Sequence, residues 1–524
     1  MRAGIDLNHK LIHHFLEESA KSFPDKIAVI HDGAKATYGE TEAKACNLAH
    51  WLKSQGVTKG DRIAVILENC IEYIISYYGV LKTGATVAPI TNDIKPKGLI
   101  PLLKGLEPKF LISSGRHEKV LKQVEYDQFR IEGLVLKSPE FEWKNKPFPV
   151  FFWDEVVQAR IDPRPSGTME DSSLASILYT SGSTGEPKGV MLSHRNIVSN
   201  THSICKYLEL TDKDIQMVVL PFFYVMGMSL LNTHFAVGGT LVINNKFAFP
   251  ASVVKQMAEE RVTGFSGVPS TYAYLLNRSP LEAYRDRLEC LRYCSQAGGH
   301  MSRQIKESLR RILPSHTKIY IMYGATEGSA RLTYLDPDRF FEKMDSIGKP
   351  ISDVVVKVLD KNGKEVPTGS MGELVVNGPN IMMGYWKDPE ATARVLDEKG
   401  YHTGDLGYRD EDGYLYAHGR TDNLIKMGGH RINPQEIEEA LMSSGLVIEA
   451  LVLGMPDELL GQKIVILATP KSRGVSENEL MNFCARVVPK YKLPAGIKLI
   501  RGLPKNSSGK IDKMECQKLV EKFF

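Results

Sequence analysis

Apolar positions over roughly the first two thirds of the chain fall into two alternating kinds of run. Thr41 to Gln55 is amphipathic at helical spacing and leads to Arg62-Ile-Ala-Val-Ile-Leu67, a short apolar run of strand length. A further apolar stretch runs into Gly84-Ala-Thr-Val-Ala-Pro-Ile90, and the alternation recurs at Gly133–Leu136, Ile215–Leu220, Gly239–Ile243 and Lys318–Met322. Helical segments alternating with buried strands predict a parallel α/β sheet. A large layered α/β region is therefore expected to about residue 340.

Beyond Val354 the runs shorten. Val354–Leu359 and Gly372–Asn377 have strand length, and Asp360-Lys-Asn-Gly363 and Asp410-Glu-Asp-Gly413 are turn sequences, which together predict a small β-rich subdomain. After Arg420 mixed signals return: Pro434–Ser443 is amphipathic, Ile448–Gly454 reads as extended and Glu477–Val488 as helical. About a hundred residues suffice for a separate small α+β domain. With no repeat and no low-complexity linker, the boundary is expected at a tight hinge near Asp422, dividing residues 1–421 from 422–524. Length supports the division, since 524 residues exceed the roughly 250–300 that one core encloses.

Composition narrows the class. At 43% hydrophobic and 24% charged the chain matches folded soluble proteins, which removes disordered and collagen-like readings. The net charge of +4 arises from 66 basic and 62 acidic residues mixed along the length, which gives no reason to expect nucleic acid. The most apolar long stretch, Ile71–Ile90, is interrupted by Glu72 and Lys82 and makes a poor membrane span; no integral membrane segment and no secretory signal are expected. The expected location is cytoplasmic. Seven cysteines lack CxxC spacing and are expected as reduced thiols, and Cys290 with Cys294 is an incomplete set for zinc.

The chemistry sits in loops. Leu178-Tyr-Thr-Ser-Gly-Ser-Thr-Gly-Glu-Pro-Lys-Gly189 is a strand entering a loop of hydroxyls and glycines that ends in a lysine. Free backbone amides, hydroxyl donors and one cation are what a polyphosphate needs. It is not a P-loop, because the near match Gly509-Lys510 continues with Ile511, and no Gly-x-Gly dinucleotide fingerprint occurs. Tyr323 stands at the end of an apolar strand, where open α/β sheets bind ligands.

The YTSGSTGEPKG loop resembles the signature of the adenylate-forming (AMP-forming) superfamily of acyl-CoA synthetases, peptide-synthetase adenylation domains and luciferases. Four further motifs follow in that family's order: Tyr323-Gly-Ala-Thr-Glu327, Tyr401-His-Thr-Gly-Asp-Leu406, Gly419-Arg-Thr-Asp-Asn-Leu-Ile-Lys426 continuing through Gly428-Gly-His-Arg-Ile-Asn-Pro-Gln-Glu436, and Pro504-Lys-Asn-Ser-Ser-Gly-Lys510. The resemblance covers essentially the whole chain. It implies a large N-terminal α/β domain that binds acid and ATP and a small mobile C-terminal domain that carries a catalytic lysine. The implied reaction is ATP-dependent formation of an acyl-adenylate with release of pyrophosphate, then transfer of the acyl group to coenzyme A, with Mg2+ as metal.

The residue roles are implied by the same resemblance. Thr180, Ser181, Gly182, Ser183, Thr184, Gly185 and Lys188 would hold the phosphates. Gly298, Tyr323, Gly324, Ala325 and Thr326 would hold adenine and the α-phosphate, Asp405 the ribose, and Arg420 the ribose or a phosphate. Thr180 and Glu327 would serve the metal. Lys510, Lys188, Thr326, Glu327 and Lys426 would be catalytic, with Lys510 bridging carboxylate and α-phosphate. Phe223, Tyr224, Met228, Gly267, Val268, Ala297, Gly298 and Gly324 would line the acyl pocket. Because Lys510 would obstruct the incoming thiol, the C-terminal domain is expected to turn about Asp422 and bring Gly428, Gly429 and Arg431 to a thiol tunnel.

Three positions depart from the family pattern. Tyr224 stands where many CoA ligases carry histidine and amino-acid adenylating domains carry aspartate, which disfavours an α-amino acid. Gln296-Ala-Gly-Gly-His300 lacks the usual small-residue-then-proline order, and Lys513 replaces an arginine. Coenzyme A is the favoured acceptor; the alternative is a free-standing ligase that loads the phosphopantetheine of a carrier protein. A catalytically inactive nucleotide-binding regulator ranks below both, since Lys188, Glu327, Asp405 and Lys510 are all present. The identity of the acid and the existence of a homodimer are left open.

Overall fold

A computed structural model describes residues 8–143, 146–158, 169–181, 187–420 and 423–524. Two large sheets dominate. The first runs in space from Gly384–Tyr385 through Pro187–Ser193, Leu174–Ser181, Thr86–Pro89, Arg62–Ile66, Phe110–Ser114 and Gly133–Lys137 to Val150–Phe152, parallel from Leu174–Ser181 onward. The second runs from Lys349–Pro350 through Thr333–Tyr334, Lys318–Tyr323, Tyr293–Gln296, Gly264–Gly267, Ile215–Val218, Thr240–Ile243 and Ile27–His31 to Ala34–Thr37. It is parallel in its centre and antiparallel at both edges. The expected α/β layering is thus present, with strand ends shifted by a residue or two from the sequence reading, as boundaries commonly are.

One apolar cluster joins the two sheets, and helices Ile71–Thr83 and Val225–Val237 contribute to it. Both helices are buried nearly all round, which is why their sequences show no clean polar face. Lys82, which interrupts the apolar run, is 1% exposed at its side chain and reaches Glu17 at 2.5 Å and Glu42 at 2.9 Å. It ties three helices together, its buried cation facing two carboxylates. Helix Tyr38–Ser54 starts with a reciprocal cap, in which Thr37 accepts from Glu40 N and Glu40 accepts from Thr37 N.

The β-rich subdomain is an antiparallel sheet of Val355–Leu359, Gly372–Asn377 and Gly400–Arg409, the last pairing also with Leu396–Asp397 and Leu415–Arg420. The C-terminal part has a three-stranded sheet, Val447–Asp457, Gly461–Pro470 and Gly496–Leu499, flanked by helices Pro434–Ser443, Glu477–Val487 and Lys513–Phe523. Asp422, and with it the expected boundary, lies outside the described residues. Among the described residues no helix is long and apolar enough to cross a membrane. All seven cysteines are free, and six of them are buried.

Candidate active site

The glycine-rich loop connects two antiparallel strands, Leu174–Ser181 and Pro187–Ser193, with Thr180 opposite Lys188 and Ser181 opposite Pro187. Its tip, including Gly182, Ser183, Thr184 and Gly185, lies outside the described residues. The second strand pairs with Gly384–Tyr385, and this brings Lys188 Nζ to 5.1 Å from the centre of the Tyr385 ring. From the ring's other end the hydroxyl donates to Glu327 Oε1 at 2.8 Å. Burial, reinforced by Glu327, pushes the Tyr385 hydroxyl pKa well up, so it remains a donor at every physiological pH. Glu327 is half-buried and has no lysine, arginine or histidine at ion-pair distance among the described residues. A carboxylate shielded from water and left without a counter-charge fits a hard divalent cation that retains several waters.

Glu327 belongs to a single turn, Thr326–Gly328, that follows the strand ending at Tyr323. The Tyr323 hydroxyl donates to Asp405 Oδ2. Asp405 lies opposite Arg420 in the antiparallel register, so a carboxylate and a guanidinium emerge side by side from neighbouring strands. Gly404 makes room for them: its φ is +72°, and a methyl group there would come within 2.8 Å of an Arg420 nitrogen. Asp405 is approached from behind by a polar network, since Glu373 accepts from Gly404 N at 3.1 Å and from His402 Nδ1 at 3.0 Å.

Lys510 arrives from the C-terminal part. Asn506 Oδ1 accepts from Ser508 N and Lys510 N, each at 3.1 Å, and Gly509 completes the turn at φ +80°. Ser270 anchors the turn across the interface by donating to the Gly509 carbonyl. The lysine is thereby half-buried rather than solvated, with Nζ 4.9 Å from the centre of the Tyr224 ring. A small cavity of about 40 Å³ lies there, lined by Tyr224, Val225, Met226, Ala297, Gly298, Gly324, Ala325, Thr326, Ala330, Arg331 and Lys510. Gly298, at φ +86°, has no space for a side chain, as a methyl group would meet Lys510 Cε at 3.0 Å and Tyr224 Oη at 3.2 Å.

Several residues named from sequence therefore converge on this cavity: Tyr224, Ala297, Gly298, Gly324, Ala325, Thr326 and Lys510. Phe223, Met228, Gly267 and Val268 do not line it; Met228 and Val268 are core residues, Val268 touching the position beside Gly298. Lys426, Gly428, Gly429 and Arg431 are exposed on the hairpin Ile425–Met427/His430–Ile432 and also lie off the cavity. The two glycines have φ of +56° and +82°, the conformation a two-residue hairpin turn demands. His300, part of a pocket segment in the sequence reading, instead bonds Glu439 of the C-terminal part. Sequence reasoning missed Tyr385 and Arg331. Tyr385 had no local signal, whereas Arg331 was a charge inside the strand-like Ala330-Arg-Leu-Thr-Tyr334 and could have been noticed.

Tyr323 at the end of a parallel strand and Glu327 beyond it, Asp405 beside Arg420, and Lys510 from the C-terminal part make up the candidate site of an adenylate-forming ligase. Residues 16–386 match the model of the AMP-binding enzyme family and residues 436–510 that of the AMP-binding enzyme C-terminal domain, and the chain belongs to this family. It is 31% identical to a 2-succinylbenzoate–CoA ligase of Bacillus cytotoxicus, across 97% of this chain and 98% of that one. It is 30% identical to the medium-chain fatty-acid–CoA ligase of Escherichia coli, across 96% and 89%. The o-succinylbenzoate CoA synthetase of Bacillus subtilis, solved with its acyl-adenylate intermediate, superposes with a TM-score of 0.80 at 28% identity, over 95% of this chain and 96% of that one. The protein is an acid–thiol ligase of the AMP-forming kind, which uses ATP, Mg2+ and coenzyme A to activate a carboxylic acid and make its thioester.

Proposed function

We propose that the described arrangement is the adenylating one and that Lys510 is its catalytic cation. The observation that carries this reading is the seating of Lys510 on a cavity with no carboxylate among its described lining residues, beside Gly298, Gly324 and Thr326. The substrate carboxylate and the α-phosphate are both anions, and Lys510 offsets the charge that builds as they meet. No side-chain nucleophile is needed, because the carboxylate itself attacks phosphorus, and positioning supplies much of the rate. Lys188 and the hydroxyls of the 180–185 loop take the departing pyrophosphate. Glu327 and Thr180 would hold magnesium, which would supply positive charge to the phosphate oxygens. Tyr323, Ala325, Asp405 and Arg420 take the nucleoside.

Thioester formation then requires Lys510 to leave. A turn about Asp422 would do this and would exchange the Lys510 loop for the exposed hairpin bearing Lys426, Gly428, Gly429 and Arg431. The interface that must break includes polar contacts, Ser270 with Gly509, Thr91 with Ser507 at 3.0 Å and His300 with Glu439, beside apolar packing of helices Pro269–Arg278 and Arg303–Ile312 against the C-terminal part. Such contacts suit a reversible docking. The acids named for the relatives, 2-succinylbenzoate and medium-chain fatty acids, differ in shape, so this chain's acid follows from its own lining residues. A cytoplasmic setting fits the seven free thiols. Acid-dependent exchange of pyrophosphate into ATP by the purified chain tests the reading, with AMP as the product when coenzyme A is added. Carboxylate-dependent release of ADP overturns it.

A further inference from the structure

Arg331 is among the largest side chains the fold buries, at 2% exposure, and it lies on the wall of the cavity that Lys510 closes. Its Nε donates to the Met322 sulfur at 3.2 Å and its Nη1 to the Ala330 carbonyl at 3.2 Å. Neither acceptor carries charge, and no carboxylate lies at ion-pair distance among the described residues. Arginine does not lose its proton in proteins, so a full charge sits in the interior with weak partners. The same chain matches the buried Lys82 with two carboxylates. Burial disfavours the Arg331 cation, and only the neighbouring Tyr207 and Tyr224 hydroxyls work in the other direction.

The backbone holds Arg331 firmly in this position. Ala330 has φ +110°, a strained conformation for a residue with a side chain. Asn200 and Asn380 clamp the Arg331 carbonyl at 2.7 and 3.1 Å, and Asn200 also accepts from its N–H at 3.2 Å. Gly324 lets the two segments touch, since a methyl group there would lie 1.9 Å from the Ala330 oxygen. Strain that the surroundings over-determine is found at ligand sites.

We propose that Arg331 determines acid specificity, by binding a second carboxylate at the inner end of the acyl group while the first carboxylate is activated beside Lys510. This rests on the adenylation reading of the site. Among the described residues the lining holds two cations and no acidic residue, and the cations come from different places: Lys510 from the C-terminal part and Arg331 from the frame beside Tyr323 and Gly324. A guanidinium fork receives a carboxylate by two parallel hydrogen bonds, and Tyr224 adds a hydroxyl on the same wall. The lining also includes the small residues Ala297, Gly298, Ala325 and Ala330, and a cavity of about 40 Å³ suits only a short spacer.

The test is acid-dependent pyrophosphate exchange with succinate, glutarate and adipate against butyrate, valerate and hexanoate. The wild type is expected to favour at least one diacid over its matched monoacid by about 100-fold or more in kcat/KM, because a site built to hydrogen-bond a polar group strongly rejects the analogue lacking it. Arg331→Met is expected to bring that ratio to about 1, and Arg331→Lys to give an intermediate ratio, charge being kept and the fork lost. The melting temperature of Arg331→Met is expected to match or exceed that of the wild type, since an unpaired buried charge is removed. Should Arg331→Met fail to fold, the Arg331→Lys ratio decides alone. Exchange with monoacids at rates equal to the diacids, or an unchanged ratio in the variants, overturns the proposal and leaves the adenylation reading standing. Exchange with no acid at all overturns both.

Discussion

The Tyr385 hydroxyl donates to Glu327 Oε1 at 2.8 Å, while the same ring faces Lys188 Nζ at 5.1 Å. A tyrosine some two hundred residues from Lys188 in sequence thus contacts both the cation and the carboxylate that phosphate chemistry requires. The pairing of Gly384–Tyr385 with Val190 and Met191 is what puts it there.

Tyr385→Phe removes that donor and keeps the ring. Partners that orient a metal-binding carboxylate are typically worth about 10–100-fold in metal affinity. The variant should need about tenfold more magnesium for half-maximal adenylation at saturating ATP, with the melting temperature little changed. A magnesium titration identical to the wild type would show that Tyr385 does not orient Glu327 for a metal.

Lys510→Ala should lower acyl-adenylate formation by about 100- to 1,000-fold, the scale on which single charge-stabilising groups act. Transfer of a supplied acyl-adenylate to coenzyme A should be largely spared, because the lysine's charge is needed only where carboxylate and phosphate meet. Rapid-quench measurement of each half-reaction separates the two, and equal losses in both would remove Lys510 from its assigned part.

Ser270→Ala deletes one hydrogen bond that holds the Lys510 turn against the large domain. A net hydrogen bond contributes roughly 0.5–1.5 kcal/mol, so the docked arrangement should lose occupancy by about 2- to 10-fold. Adenylation should slow accordingly, and the thioester half-reaction should stay equal or rise. Slowing of both steps together would mean that this contact supports the fold rather than the balance between two orientations.

His402 supplies a pH-dependent term. Partial burial opposes its protonation, but hydrogen bonds and charges from Glu373 and Asp397 outweigh it and hold its pKa above the ordinary histidine value. A raised native pKa contributes stability that is fully present below the unfolded value of about 6.5 and is lost as pH rises through the folded pKa. His402→Gln should therefore cost up to about 1 kcal/mol at acidic pH and nearly nothing in alkaline solution. Chemical denaturation of both proteins across that range checks the sign; a larger deficit at high pH would contradict it.

The local patterns of the chain determined more than its elements. The alternation from Thr41 to Met322 expressed a parallel α/β architecture because buried strands and amphipathic helices leave different periods, and Pro434–Ser443 is the helix its pattern predicts. The Lys510 loop was legible as a turn, which Asn506 and Gly509 specify locally, but its chemistry came from the resemblance of the motif and its half-burial from docking against the large domain. Distance in sequence was the limit. Tyr385 reaches Glu327, Arg331 reaches the cavity and His300 reaches Glu439 only through strand pairing and docking of separate segments, and no local period encodes such meetings. Arg331 shows the difference most clearly. Its neighbours Ala330, Leu332 and Thr333 give it the look of a strand residue, but the strand begins only at Thr333, and Arg331 is placed by the left-handed Ala330 and the Asn200 and Asn380 side chains. Tertiary structure turned that charge inward, against Met322 and beside Tyr224, and so decided the polarity of the pocket.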